Sequence, residues 1–201
     1  MIGLFLASIC SVSLFALSPD KYEIALDLAV GNVGGNLSQR IENSLNPTPD
    51  QIQDVLFSAE GNWYLTPYLG VECMAGFGFI QASSAQTKPL NVVDEQFFQF
   101  GPVLRGIINI SPIDSLTFDA SAGLSLTAME WDNSFSSLFS FPLATISTVP
   151  SLYSRIGIKY RRNNFFDGLS LCYQNLPESL SNGNSFSGDS WSAQFTIGFA
   201  E

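Results

Sequence analysis

Period-two alternation is the feature that most constrains this chain. In Leu116–Met129 (LTFDASAGLSLTAM) every second residue is apolar: Leu116, Phe118, Ala120, Ala122, Leu124, Leu126 and Ala128. The residues between them, Thr117, Asp119, Ser121, Gly123, Ser125, Thr127 and Met129, are mostly small or polar. Side chains arranged this way belong to an extended strand with two chemically different faces. Globular strands usually run to about 5–6 residues, and this one is more than twice as long. Its length raises the question of which solvent the apolar face meets.

The same pattern recurs in Tyr22–Gly31, Val55–Leu65, Tyr68–Ile80, Phe97–Ile110, Pro150–Tyr160, Leu169–Leu176 and Ser190–Phe199. No segment carries a convincing run of helical spacing, so helices are expected only as short pieces in loops. The connections alternate in length. Thr66-Pro67, Ser111–Ser115 and Arg161–Gly168 are short, whereas Asn32–Asp54, Gln81–Gln96, Glu130–Val149 and Pro177–Asp189 are long. Short and long connections in turn describe an up-and-down sheet whose two ends face different compartments. Membrane-spanning strands need about 9–11 residues, and a closed barrel is the only sheet that satisfies every backbone group in lipid. The expected fold is therefore all-β: an eight-stranded antiparallel up-and-down transmembrane β-barrel. Short turns would face the periplasm and four longer loops the exterior. A soluble barrel with its apolar face around a ligand is the alternative, and the long apolar faces argue against it.

Composition narrows the functions. Charged residues make up 13% of the chain, against a usual share of about 25%. The formal charge of −10 argues against nucleic acid, which needs basic patches. Histidine is absent, which removes Ser-His-Asp triads, His general bases and His-ligated zinc. Neither a metal site nor a cofactor is indicated. Cys73 falls on the apolar face of its strand and Cys172 on the polar face of another, so a disulfide between them is not expected.

Residues 1–18 (MIGLFLASICSVSLFALS) are uncharged and apolar, and Ala16-Leu17-Ser18 offers a small-x-small cleavage site. We read them as a secretory signal peptide, leaving residues 19–201 as the barrel. A membrane helix would need about 20 apolar residues. At the other end, Trp191, Ala193, Phe195, Ile197 and Phe199 alternate down to an aromatic near the terminus. This stretch resembles the carboxy-terminal strand of bacterial outer-membrane proteins, which their barrel assembly machinery recognises. By pattern and topology, residues 19–201 resemble the small eight-stranded outer-membrane barrels of the OmpA membrane-domain, OmpX and OmpW kind. The resemblance implies the outer membrane of a diderm bacterium, with extracellular loops and outer-membrane lipid around a monomer. Aromatic residues fit two girdles: Tyr22, Trp63, Tyr68, Tyr160 and Phe199 at the turn end, and Phe79, Phe98, Trp131 and Trp191 at the loop end.

Alternation also places charges inside the barrel: Glu23, Asp27, Glu60, Glu72 and Asp119, with Arg105, Arg155 and Lys159. Strand order makes Arg105 the neighbour of Glu72 and Asp119. These three are expected to form an interior salt-bridge cluster, extended by Arg155 and Lys159. Asp27, Glu60 and Glu72 lie on consecutive strands and would form an interior acid cluster, read either as a cation or proton site or as a plug balanced by the bases opposite. Eight strands enclose just enough room for side chains, so a water-filled pore is not expected. Inward glycines would either leave a narrow cavity or make room for long side chains.

The third long loop is unusually apolar, with Phe135, Leu138, Phe139, Phe141, Leu143 and Ile146. Such a patch marks a binding site, a lid or buried loop packing. The external loops carry Glu42, Asp50, Asp94, Glu95, Glu130, Asp132, Glu178 and Asp189 against Arg40 and Lys88. The leading functional expectation is a non-enzymatic barrel whose loops contact host, matrix or other envelope components. The alternative, implied by the OmpW resemblance, is binding or uptake of a small hydrophobic molecule through a narrow barrel gated by the Trp131–Thr148 loop.

Overall fold

The computed structural model describes residues 22–45, 48–84, 87–131, 149–179 and 185–201. Eight strands form β1 (Tyr22–Gly34), β2 (Gln51–Thr66), β3 (Leu69–Ser84), β4 (Thr87–Asn109), β5 (Asp114–Trp131), β6 (Val149–Arg162), β7 (Phe165–Ser179) and β8 (Ser185–Ala200). Each pairs antiparallel with its chain neighbour, and β8 returns to β1, so the sheet closes into a barrel without free edges. The leader assigned to residues 1–18 lies outside the described residues. So do the loop residues Phe135, Leu138, Phe139, Phe141, Leu143 and Ile146.

The alternation of Leu116–Met129 resolves as one face out and one face in. Phe118, Ala120, Ala122, Leu124 and Leu126 are exposed, whereas Thr117, Asp119, Ser121, Ser125, Thr127 and Met129 are buried. Exposed apolar side chains recur around the whole circumference, among them Leu26, Phe77, Leu104, Leu152, Leu171 and Phe195. On β2 the apolar outer row runs from Val55 to Leu65, and on β4 from Phe98 to Ile108. About eleven residues at roughly 3.3 Å each, tilted by about 40°, rise some 28 Å, which matches a hydrocarbon thickness near 30 Å. Beyond this belt the outer positions turn polar, as at Gln53, Gln81, Asp94 and Gln96.

Several strands overrun the belt. The stretch Gln81–Gln96, read from sequence as a long loop, is mostly a continuation of β3 and β4 with Gln81 opposite Asn91. Glu95, assigned from sequence to the external loops, consequently faces the lumen and is 4% exposed. At the turn end, β6 and β7 are joined by Asn163-Asn164. Asn163 adopts φ 53°, the left-handed conformation that two-residue hairpin loops favour and asparagine tolerates.

Among the described residues one short helix, α1 (Gly35–Ser44), follows β1 directly and packs over the strand ends at the loop side. Leu37 and Ile41, one turn apart on its inner face, are fully buried. They pack into a cluster with Val33, Ile52, Ile80, Ala82, Val92, Val93 and Met129. The ends of five strands thus supply a socket that the two side chains fill.

Candidate functional site

The inward-facing residues of the belt form a layered plug. Its centre is Arg155 on β6, whose guanidinium meets Glu60 of β2 and Glu72 of β3; Arg155 Nη2 lies 2.9 Å from Glu60 Oε1. Lys159, two inward positions nearer the turns with Gly157 between, places its ammonium 2.9 Å from Asp119, 3.3 Å from Glu60 and 3.3 Å from Glu23. Arg105 of β4 completes the turn-end side. It pairs with Glu23 and with Asp119 (3.4 Å), and its guanidinium stacks 3.5 Å from the Tyr64 ring centroid. Each of these seven charged residues is at most 9% exposed.

Neutral groups take up much of the remaining hydrogen-bonding capacity. Asn62 donates to Glu60, Ser121 to Glu72 (3.1 Å) and Tyr64 to Glu23 (3.3 Å). Asp27 accepts from Thr196 at 2.7 Å and from Ser58 at 3.3 Å. Inward glycine makes room for long side chains: a Cβ at Gly168 would lie 2.7 Å from Cγ of Lys159. Such burial is tolerable only because every base touches at least two carboxylates.

All members of the expected cluster, Glu72, Arg105, Asp119, Arg155 and Lys159, lie in this plug, but they are wired differently. Arg105 reaches Asp119 and not Glu72. Strand stagger pairs Glu72 with Gly101, so Arg105 sits four residues nearer the turns, at the level of Leu69 and Tyr68. Glu72 goes instead to Arg155 across the lumen. Of the expected acid cluster, Glu60 and Glu72 are joined through Arg155, while Asp27 is held by hydroxyls. Sequence reasoning placed Glu23 inside without giving it a role, yet it receives both Arg105 and Lys159. Asp54 and Glu95 were missed as lumen residues because the alternating segments begin one and two residues beyond them.

Above the plug, a cavity of about 30 Å³ lies among residues including Met74, Tyr153, Cys172 and Gln194, room for a single water. Gln174 closes this level, accepting from Gln99 at 3.0 Å and donating to Thr127 at 2.7 Å. Among the described residues, side chains fill the lumen at this level. At the turn end, by contrast, two open recesses of about 290 and 430 Å³ share Arg105, Ile107 and Arg161 in their walls.

The wall itself is interrupted once between β4 and β5. Pairing holds one register from Phe100 opposite Leu124 to Val103 opposite Ser121, but Gly101 and Pro102 have no paired partners on β5. Pro102 has no N–H to give, and it faces outward among the lipid-facing residues. The strands still touch, since a Cβ at Gly101 would lie 2.3 Å from the Ala122 carbonyl oxygen.

No protein-family model and no curated protein sequence matches this chain. Solved structures do match in fold. The outer membrane protein OprG from Pseudomonas aeruginosa aligns with a TM-score of 0.52 at 11% identity, over 90% of this chain and 96% of that one. Neisserial surface protein A aligns with a TM-score of 0.50 at 11% identity, over 88% and 96%. The outer membrane enzyme PagL aligns with a TM-score of 0.42 at 12% identity, over 86% and 97%. At these identities the likeness is one of fold.

Proposed function

We propose that this chain is a non-enzymatic outer-membrane barrel of a diderm bacterium, plugged along its axis, whose working surface is its loop end. The observation that carries this reading is the plug. Arg155, Lys159 and Arg105 tie Glu23, Glu60, Glu72 and Asp119 across the full width of the lumen. Carboxylates held by bases in this way are poorly placed to act as acid or nucleophile, and the chain has no histidine to supply a general base. The lipid-facing belt, the short turns at one end and the fold shared with OprG support residence in the outer membrane. The turns then face the periplasm and the loops contact host, matrix or other envelope components. Residues 1–18 would direct export and β8 would be read by the assembly machinery.

Planar-bilayer recording of the refolded chain tests the plug: no stable conductance is expected, and reproducible channels would overturn it. A membrane-impermeant amine reagent on intact cells tests orientation, since Lys88 at the loop end is exposed. Labelling of Lys88 only after lysis would reverse the assignment.

The break at Gly101 and Pro102 favours a second reading, in which a small hydrophobic molecule passes between lumen and lipid through the wall. Pro102→Ala restores the missing N–H and would close the seam. Fatty-acid binding that is unchanged by Pro102→Ala would remove this reading.

A further inference from the structure

Where β2 and β4 leave the belt, the buried carboxyl groups of Asp54 and Glu95 meet inside the barrel, within reach of a shared hydrogen bond. They come from strands that are not neighbours, and β3 runs between them. It carries Gly78 at the crossing, and a Cβ there would lie 3.2 Å from Glu95 Oε1. Asp54 is 2% exposed. Its Oδ2 accepts from Ser190 at 2.7 Å, whereas its Oδ1 is buried and, the Glu95 carboxyl apart, meets no donor. Directly across their ladders stand Ile80 and Met129, members of the apolar cluster that seats Leu37 and Ile41 of α1. Two acids therefore form the floor beneath a greasy cap.

Among the described side chains no base faces this pair. Arg155, the nearest guanidinium below, is turned onto Glu60 and Glu72. Asp27, on β1, is held by Thr196 and Ser58. On α1, Glu42 accepts from Ser38 at 3.0 Å. Asp94 and Glu130 point outward, and Asp189 of β8 lies beside Gly34 at the start of α1. Among the described side chains every titratable neighbour other than Arg155 is acidic, so none of them would balance a second negative charge. A hydrogen bond between two carboxyl groups needs a proton on one of them, and like charges in contact cannot both ionise without cost.

We propose that Asp54 and Glu95 form a one-proton latch for the loop-end mouth: the shared proton keeps α1 seated, and its loss unseats the helix. The closed state holds the proton and the open state releases it to water. Closure is therefore favoured at low pH and lost as pH rises. One linked proton changes the opening equilibrium by up to about tenfold per pH unit.

The test is hydrogen–deuterium exchange of the full chain in detergent micelles, read by mass spectrometry and corrected for the intrinsic pH dependence of exchange. Protection of residues 35–44 should fall roughly tenfold or more between about pH 6 and about pH 9, while β5 and β6 stay unchanged. In Glu95→Gln the amide donates to an Asp54 that stays ionised, so protection should become independent of pH. The double variant Asp54→Asn/Glu95→Gln has no titrating group at this site and should behave the same way, whichever variant refolds better. Protection of α1 that is flat with pH in the wild type, or a slope that survives in either variant, would overturn the latch.

Discussion

Arg155→Met should be the most damaging single change in the lumen. Methionine fills much of the same volume but leaves two carboxylates without their guanidinium. Glu60 keeps Lys159 at 3.3 Å and the amide of Asn62, so it remains partly compensated. Glu72 keeps the neutral hydroxyl of Ser121 at 3.1 Å and is fully buried. Removing one partner of a buried ion pair costs about 3–5 kcal/mol, and the strandedness of Glu72 puts this variant in that range. Urea unfolding of the refolded protein in detergent micelles, followed by tryptophan fluorescence, reads the loss. With a slope of about 2 kcal/mol per molar urea, the midpoint should drop by roughly 2 M. The control is Arg155→Met combined with Glu72→Gln, which removes the orphaned charge and should recover about 1–3 kcal/mol. A single variant within about 1 kcal/mol of the wild type, or a double variant no more stable than the single, would refute the argument from uncompensated charge.

Three further outcomes follow from the same geometry. Arg105→Ala should cost less than Arg155→Met, about 1–3 kcal/mol in the same titration, because Lys159 still stands 2.9 Å from Asp119 and 3.3 Å from Glu23; the opposite ranking would move the hub of the plug. Leu124→Arg on the outer face should cost about 2–4 kcal/mol near mid-membrane, and a neutral result would take that face out of lipid. Gly101→Val should abolish the heat-modifiable folded band on detergent gels, since its Cβ would lie 2.3 Å from the Ala122 carbonyl oxygen; a normal band would show that β4 and β5 can separate there.

The barrel was legible wherever one face met lipid and the other a polar lumen. β1 and β5 show this most clearly, because hydrocarbon admits no exception in the sequence Ile24, Leu26, Leu28, Val30 or along Phe118–Leu126. Past the belt that contrast fades. Asp94 and Gln96 outside alternate with Val93 and Glu95 inside, so the upper part of β4 lacks a polarity period and reads as loop. The signal for α1 was present in Leu37, Ile41 and Leu45, spaced four apart, but three residues are too few to stand out in a polar stretch. The plug's members could be named from alternation, whereas their pairing could not. An eight-stranded lumen is so narrow that Arg155 reaches β2 and β3 from the far wall, and strand adjacency is a poor guide to partners there.

The overrun of the strands has a consequence for the cap. The residues that seat α1, from Val33 and Ile52 to Val93 and Met129, lie beyond the last lipid-facing rows that end at Val30, Val55, Phe98 and Leu126. The gate is thus mounted on a parapet above the acyl chains. The opening proposed for it would displace water and headgroups only, so bilayer thickness and fluidity would exert little leverage on it.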